Sequence, residues 1–235
     1  MPDIPDENYW FRRHEAAYEF ALRHVRGHVL EVGCGEGYGT ALLASAATSI
    51  LGVDYDRATV QHAARQYPQA RFVRGNLAAL PVGDAAVDVL ATLQVIEHVW
   101  DHPQFVRECR RVLRPDGLLL VTTPNRLTFS PGRETPLNPF HTKEFTSIEL
   151  VELIRHGGFR STWIGGLHAG KGLAEADERH GGSLVDAQLA TSPHEWSAAL
   201  RADVAAITTR DFIVAADTGR DVDESLDLVV LAERA

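Results

Sequence analysis

The stretch Glu31-Val-Gly-Cys-Gly-Glu-Gly-Tyr-Gly39 constrains this chain more than any other. A short apolar run at 28–32 leads into it, and helix-forming residues at 38–47 follow. Strand, glycine turn and helix, in that order, open an α/β nucleotide-binding sheet. Glycine is needed where the chain turns sharply and the backbone must come close to a ligand. The dinucleotide register G-x-G-x-x-G fails in both frames. Counted from Gly33 and Gly35 the third glycine falls on Tyr38, and counted from Gly35 and Gly37 it falls on Thr40. The pattern is E-x-G-x-G-x-G. An acid, Asp54, closes the next apolar run, 19 positions after Gly35. A carboxylate there can accept two hydrogen bonds from a ribose cis-diol.

Loop and acid together resemble the class I S-adenosylmethionine (SAM)-dependent methyltransferases. The resemblance implies an α/β, Rossmann-like fold: a seven-stranded, mostly parallel sheet with one antiparallel strand and helices on both faces. It also implies that Glu31, Gly33, Gly35 and Gly37 line the methionine and ribose parts of SAM, with Asp54 and Tyr55 at the ribose. Asn76 stands where many relatives carry an acid for the adenine amino group. Its amide oxygen can accept the same bond, and Leu77 would cover the adenine face. The alternative for Asn76 is a turn residue.

Composition narrows the class. With 235 residues and 45% hydrophobic content, the chain suits one α/β domain with a full core. A net charge of −9 argues against a nucleic-acid surface, which usually shows a basic patch. No apolar run reaches the length of a membrane span. The acidic start, Met1-Pro-Asp-Ile-Pro-Asp-Glu7, lacks a signal-peptide core. Cys34 and Cys109 suggest no disulfide framework, so the expected location is the cytoplasm.

Along the chain, residues 8–26 read as an amphipathic helix with an aromatic start. It could cap one end of the sheet or form a lid over the cofactor. As a lid, Arg13 or Arg12 would pair the methionine carboxylate, and Tyr9, Trp10 and His14 would face substrate. Further strands are expected at 48–53, 71–75, 87–92, 118–123, 159–164, 211–214 and 226–232, with helices at 58–67, 103–113, 147–155 and 196–207. Asp56 and Thr146 or Ser147 read as helix caps. Two irregular stretches, 124–145 and 165–193, look like substrate-side insertions. Residues 87–92 are nearly continuous apolar, as in a buried parallel strand. Ligands bind beyond the carboxyl ends of such strands, which puts Gln94, Glu97 and His98 near the reacting methyl.

The string Val-Ile-Glu-His-Val at 95–99 resembles the small-molecule branch of the family, which includes ubiquinone-type O-methyltransferases. The segments 7–14, 126–142 and 179–188 narrow this further. They resemble actinobacterial methyltransferases of methylmannose and methylglucose polysaccharides, which implies a mannosyl or glucosyl acceptor. A sugar hydroxyl is a poor nucleophile and wants a general base. His141, at the end of the first insertion, is the first choice and His98 the second. The aromatics of the N-terminal helix, with Phe129, Phe140 and Trp163, could stack on sugar rings, the alternative being core packing. Some sugar O-methyltransferases hold the acceptor with Mg²⁺, for which Glu97, Glu134, Asp177 and Asp186 could supply oxygens. No fixed-spacing metal motif is present. The competing readings are a phenol or quinol O-methyltransferase and a non-catalytic SAM binder. The expected partner is a small-molecule or oligosaccharide acceptor, with a homodimer left open.

Overall fold

The computed structural model describes residues 4–216 and 219–235. The start of the acidic N-terminal stretch, residues 1–3, lies outside them.

The chain runs α1 (Asn8–Leu22), β1 (His28–Val32), α2 (Tyr38–Leu43), β2 (Ser49–Asp54), α3 (Arg57–Gln66), β3 (Arg71–Arg74) and β4 (Val87–Leu93). Next come α4 (His102–Val112), β5 (Leu113–Pro124), α5 (Arg126–Phe129), α6 (Ser147–His156) and β6 (Phe159–Ala169). The chain ends with α7 (Lys171–Arg179), α8 (Leu184–Leu189), α9 (Ala198–Ala206), β7 (Phe212–Ala216) and β8 (Asp227–Arg234). The strands form one sheet in the order β3-β2-β1-β4-β5-β8-β6-β7. Strands β1 to β5 pair in parallel. β8 is inserted antiparallel between β5 and β6.

The sheet therefore has eight strands, not seven. The eighth, β7, falls on the segment expected as a strand at 211–214 and pairs antiparallel with β6 at the edge, so two strands run against the rest. Its partner β6 extends past the expected end at 164, through Gly165 and Gly166 to Ala169, which supplies the extra pairing length. The second insertion is also more ordered than its sequence suggests, since it contains α7 and α8.

Period-two alternation divides the core between the two faces. On β8, Val229 and Leu231 join the apolar cluster under α1 and α9, while Leu228, Val230 and Ala232 join the one under α4 and α6. Two local signals behave as expected. Asp56 accepts from Thr59 N at 2.7 Å, and Thr146 with Glu149 forms a reciprocal capping box on α6.

Strand order reverses between β1 and β4. That switch point opens a crevice at the carboxyl ends of the two strands.

Candidate active site

The glycine loop occupies this crevice. Gly33 and Gly35 have φ of 77° and 50°, the left-handed region that favours glycine. A Cβ on Gly33 would strike Val95, whereas one on Gly35 would meet nothing within 4 Å. The Gly35 face is therefore an open cradle. The Asp54 carboxylate closes the loop from β2, accepting from Gly35 N at 2.9 Å and Asp56 N at 3.0 Å. A cavity of about 200 Å³ lies against the loop, lined by His14, Ala17, Tyr18, Leu93, Gln94 and the loop residues around Cys34. Farther along the same edge, Tyr55, Arg74, Gly75 and Asn76 line a second hollow. The loop, Asp54 and this hollow are the groups that could hold the adenosyl cofactor expected from the sequence.

Some expected cofactor residues stand elsewhere. Glu31 lies behind the loop. Its buried carboxylate accepts from Tyr18 Oη at 2.6 Å and from Thr40 Oγ1. Burial pushes its pKa up to about 7. It ties α1, β1 and α2 together rather than facing a ligand. Gly37 serves as the left-handed N-cap of α2. Asn76 Oδ1 accepts from Ala78 N at 2.9 Å, so its turn role is in place. Leu77 packs on the core beside α4. Tyr55 is 71% exposed at the rim of the hollow.

Arg13 departs most from expectation. Its guanidinium forms a buried bidentate pair with Asp227, at 2.8 and 2.6 Å, and donates to Leu226 O at 2.8 Å. Those bonds turn it toward the end of β8 and away from the loop cavity.

A larger cavity, about 820 Å³, adjoins the first. His14 and Gln94 line both, so they mark the junction. Gln94 has φ of 58°, an uncommon conformation for a side-chain-bearing residue and one that concentrates at functional sites. Burial lowers the His14 pKa to about 4, which keeps the ring neutral. Helix α1 packs into the core and also supplies lining to the two cavities.

Trp10, Glu97, His98 and His141 line the larger cavity. Tyr9 is buried against Phe212 and Trp10, and lines a third cavity instead. Phe140 is 78% exposed and outside the lining. Its contribution is its carbonyl, which accepts from His98 Nδ1 at 2.9 Å. Sequence reasoning missed Gln188, Leu189 and Trp196, which α8 and the turn before α9 bring to the same wall.

The end of the first insertion is stitched to the turn after β4. Thr142 donates from N and Oγ1 to Glu97 O at 2.7 and 3.0 Å, and from Oγ1 to Val99 O at 2.6 Å. This brings the His98 and His141 rings edge to face, 4.8 Å apart. His141 Nδ1 bonds Glu144 Oε1 at 2.7 Å, and its Nε2 faces Asn138 Nδ2 at 3.0 Å. Burial lowers the His141 pKa. Burial also pushes Glu97, held by Thr123 Oγ1 at 2.9 Å, up to about 8.

The four acids considered for Mg²⁺ do not converge. Glu97 lines the larger cavity, Asp177 and Asp186 the third cavity, and Glu134 a separate hollow beside Glu144 and Glu149. A different set of donors does meet, Glu97 with His98 and His141. Two imidazoles among three donors do not suit Mg²⁺, which prefers an oxygen octahedron.

Comparison with known proteins bears on the chemistry. A methyltransferase-domain family model matches residues 30–121. A probable SAM-dependent methyltransferase of Mycolicibacterium smegmatis is 53% identical over 237 residues, covering 100% of this chain and 92% of that protein. One of Mycobacterium tuberculosis is 52% identical over 238 residues, covering 100% of this chain and 87% of that protein. Among solved structures, a Thermotoga maritima SAM-dependent methyltransferase matches with a TM-score of 0.66 at 18% identity, over 97% of this chain and 94% of that one. With the glycine loop, Asp54 and the switch-point crevice in place, the chain belongs to the SAM-dependent methyltransferases.

Proposed function

We propose that this methyltransferase transfers the SAM methyl group to a hydroxyl of a mannosyl or glucosyl oligosaccharide. The observation that carries the reading is the junction at His14 and Gln94, where the loop cavity meets a larger one. The larger cavity mixes aromatic faces, Trp10, Phe129 and Trp196, with polar groups such as Asp6, Asn138, Gln188 and Thr191. Sugars present both apolar C–H faces and hydroxyls, and bind where aromatic planes and hydrogen-bonding groups alternate. The segments that carry the resemblance to polysaccharide methyltransferases, 7–14, 126–142 and 179–188, supply walls of this cavity and its neighbour.

SAM supplies a methyl group already activated on a sulfonium. The chain's task is to align the acceptor and exclude water, an effect worth up to about 7–11 kcal/mol. The backbone at Gly33 and Gly35, with Asp54, holds the cofactor. His14 and Gln94 frame the passage through which the acceptor hydroxyl reaches it. His141 is the first candidate to take the hydroxyl proton. Glu144 fixes its ring by accepting from Nδ1, which leaves Nε2 as the basic nitrogen once Asn138 gives way. His98 is the second candidate, with Nδ1 committed to Phe140 O and Nε2 turned the other way.

The test is transfer of labelled methyl from SAM to mannosides, glucosides, phenols and quinols. Transfer to a sugar and not to the phenols supports the reading. Transfer to phenols or quinols alone overturns it.

A further inference from the structure

We propose that Glu97, His98 and His141 form a binding site for a divalent transition ion of the zinc type, with an open coordination position facing the larger cavity. One donor atom from each residue lies within 4.8 Å of the others. Two bonds of about 2.1 Å at a tetrahedral angle separate their donors by about 3.4 Å, so a movement of roughly an ångström completes the set. Side-chain rotation supplies that, since His98 is half-exposed and His141 sits on a loop.

The surroundings match what metal-bound imidazoles require. Such rings donate their second N–H to a carbonyl or carboxylate, which fixes tautomer and orientation. His98 Nδ1 bonds Phe140 O, and His141 Nδ1 bonds Glu144 Oε1. Both rings are therefore prepared to offer Nε2. His98 Nε2 is already 4.0 Å from Glu97 Oε1. The Asn138 amide, now 3.0 Å from His141 Nε2, is the contact that a metal would replace.

Charge points the same way. Glu97 and Glu144 are both buried, and neither forms an ion pair with a lysine or arginine among the described residues. Glu144 Oε2 is buried without a hydrogen-bond partner among the described groups. A dication bound by Glu97 and oriented through Glu144 would supply the cation that neither carboxyl group has. Two nitrogens and one carboxylate favour zinc, iron, cobalt or nickel over magnesium or calcium. Three protein ligands with an open position is the arrangement of catalytic rather than structural zinc.

The site itself rests on the donor geometry. Its part in catalysis rests on the function proposed above. An acceptor hydroxyl in the open position would be acidified, its proton passing to water as the C–O bond forms and the C–S bond breaks. In the metal-loaded enzyme His141 is then a ligand, and coordination takes over the work of the base.

The experiment is titration of the metal-stripped full chain with Co²⁺, followed by its visible ligand-field bands and by competition with Zn²⁺. We expect one equivalent to bind. His98→Ala, His141→Ala and Glu97→Gln should each weaken it by at least about 100-fold, and Glu144→Gln by about 10–100-fold. Replacing exposed His62 by Ala should change nothing. SAM affinity by calorimetry confirms that each variant is folded. Absence of saturable one-equivalent binding in the wild type, or wild-type affinity in His98→Ala, overturns the site. Neither readout requires turnover, so failure to find a sugar acceptor would leave this result standing.

Discussion

Single residues made the glycine loop, the candidate cofactor half of the site, legible in the sequence, because backbone geometry dictates their identity. Gly33 must be glycine at φ 77° with Val95 against it. Asp54 must be an acceptor, because two backbone amides point at it. The acceptor half was less legible. His98 and His141 could be named from their neighbourhoods, but Glu144 could not, since nothing in the spacing says that a carboxylate three positions on will hold the His141 ring. Glu31 and Arg13 were misplaced for a shared reason: a motif fixes which strand end or helix a residue occupies, but not the partner its side chain finds in the core. At this scale the sharpest expectation concerns His141. His141→Ala should retain wild-type SAM affinity by calorimetry and lose about 10²–10⁴ in kcat. A variant with wild-type kcat would remove His141 from the reaction altogether.

Elements were legible where periodicity or capping chemistry spoke, as in β4 and α6. They were not where tertiary pairing decided. The segment of β7 was legible as a strand but its place was not, since it pairs at the edge that β6 offers by running on to Ala169, while helices α7 and α8 lie in sequence with weak periodicity. Helix α1 was legible as a helix but not in its attachment. It is held by Arg13 to Asp227 on β8, by Tyr18 to Glu31 on β1, and by Asn8 Nδ2 to Val204 O and Ile207 O at the end of α9. Two predictions follow from these attachments. Arg13→Met strands the buried Asp227 carboxylate and should cost about 3–5 kcal/mol in denaturant unfolding, whereas a loss under 1 kcal/mol would show that the pair is dispensable. Glu31 has its folded pKa raised to about 7 against an ordinary 4.5. Its ionisation is disfavoured in the folded state, so its contribution is fully present below about pH 4.5 and lost as pH rises through 7. Glu31→Gln keeps one of the two oxygens that accept from Tyr18 and Thr40, presents an amide N–H to the other hydroxyl, and cannot ionise. The variant should therefore gain stability relative to wild type, by up to about 3 kcal/mol, as pH rises from 4.5 to 7. A difference that stays flat across that window would mean that Glu31 is ionised throughout.

At the scale of the whole molecule, the sheet supplies one switch point and the two insertions build outward from it. Helix α5 and the loop after it meet α7 and α8 across the mouth of the site, enclosing a third cavity of about 470 Å³. That cavity shares Trp10, Arg13, Phe129, Leu137 and Leu189 with the larger one, so the two form a continuous groove. Its far wall carries Arg133, Asp177, Ser183 and Asp186, which on the function proposed above would meet hydroxyls on a second or third sugar ring. A groove this long makes acceptor length a measurable variable. With the methylated ring held constant, kcat/KM should rise from the monosaccharide to the trisaccharide, mostly through KM, by about tenfold for each 1.4 kcal/mol that an added ring contributes. Asp186→Asn should lower that gain for the longer acceptors and leave the monosaccharide rate unchanged, since Asp186 lines only the distal part of the groove. Equal kcat/KM for all lengths would confine the acceptor to the larger cavity and leave α7 and α8 as a wall with no part in recognition.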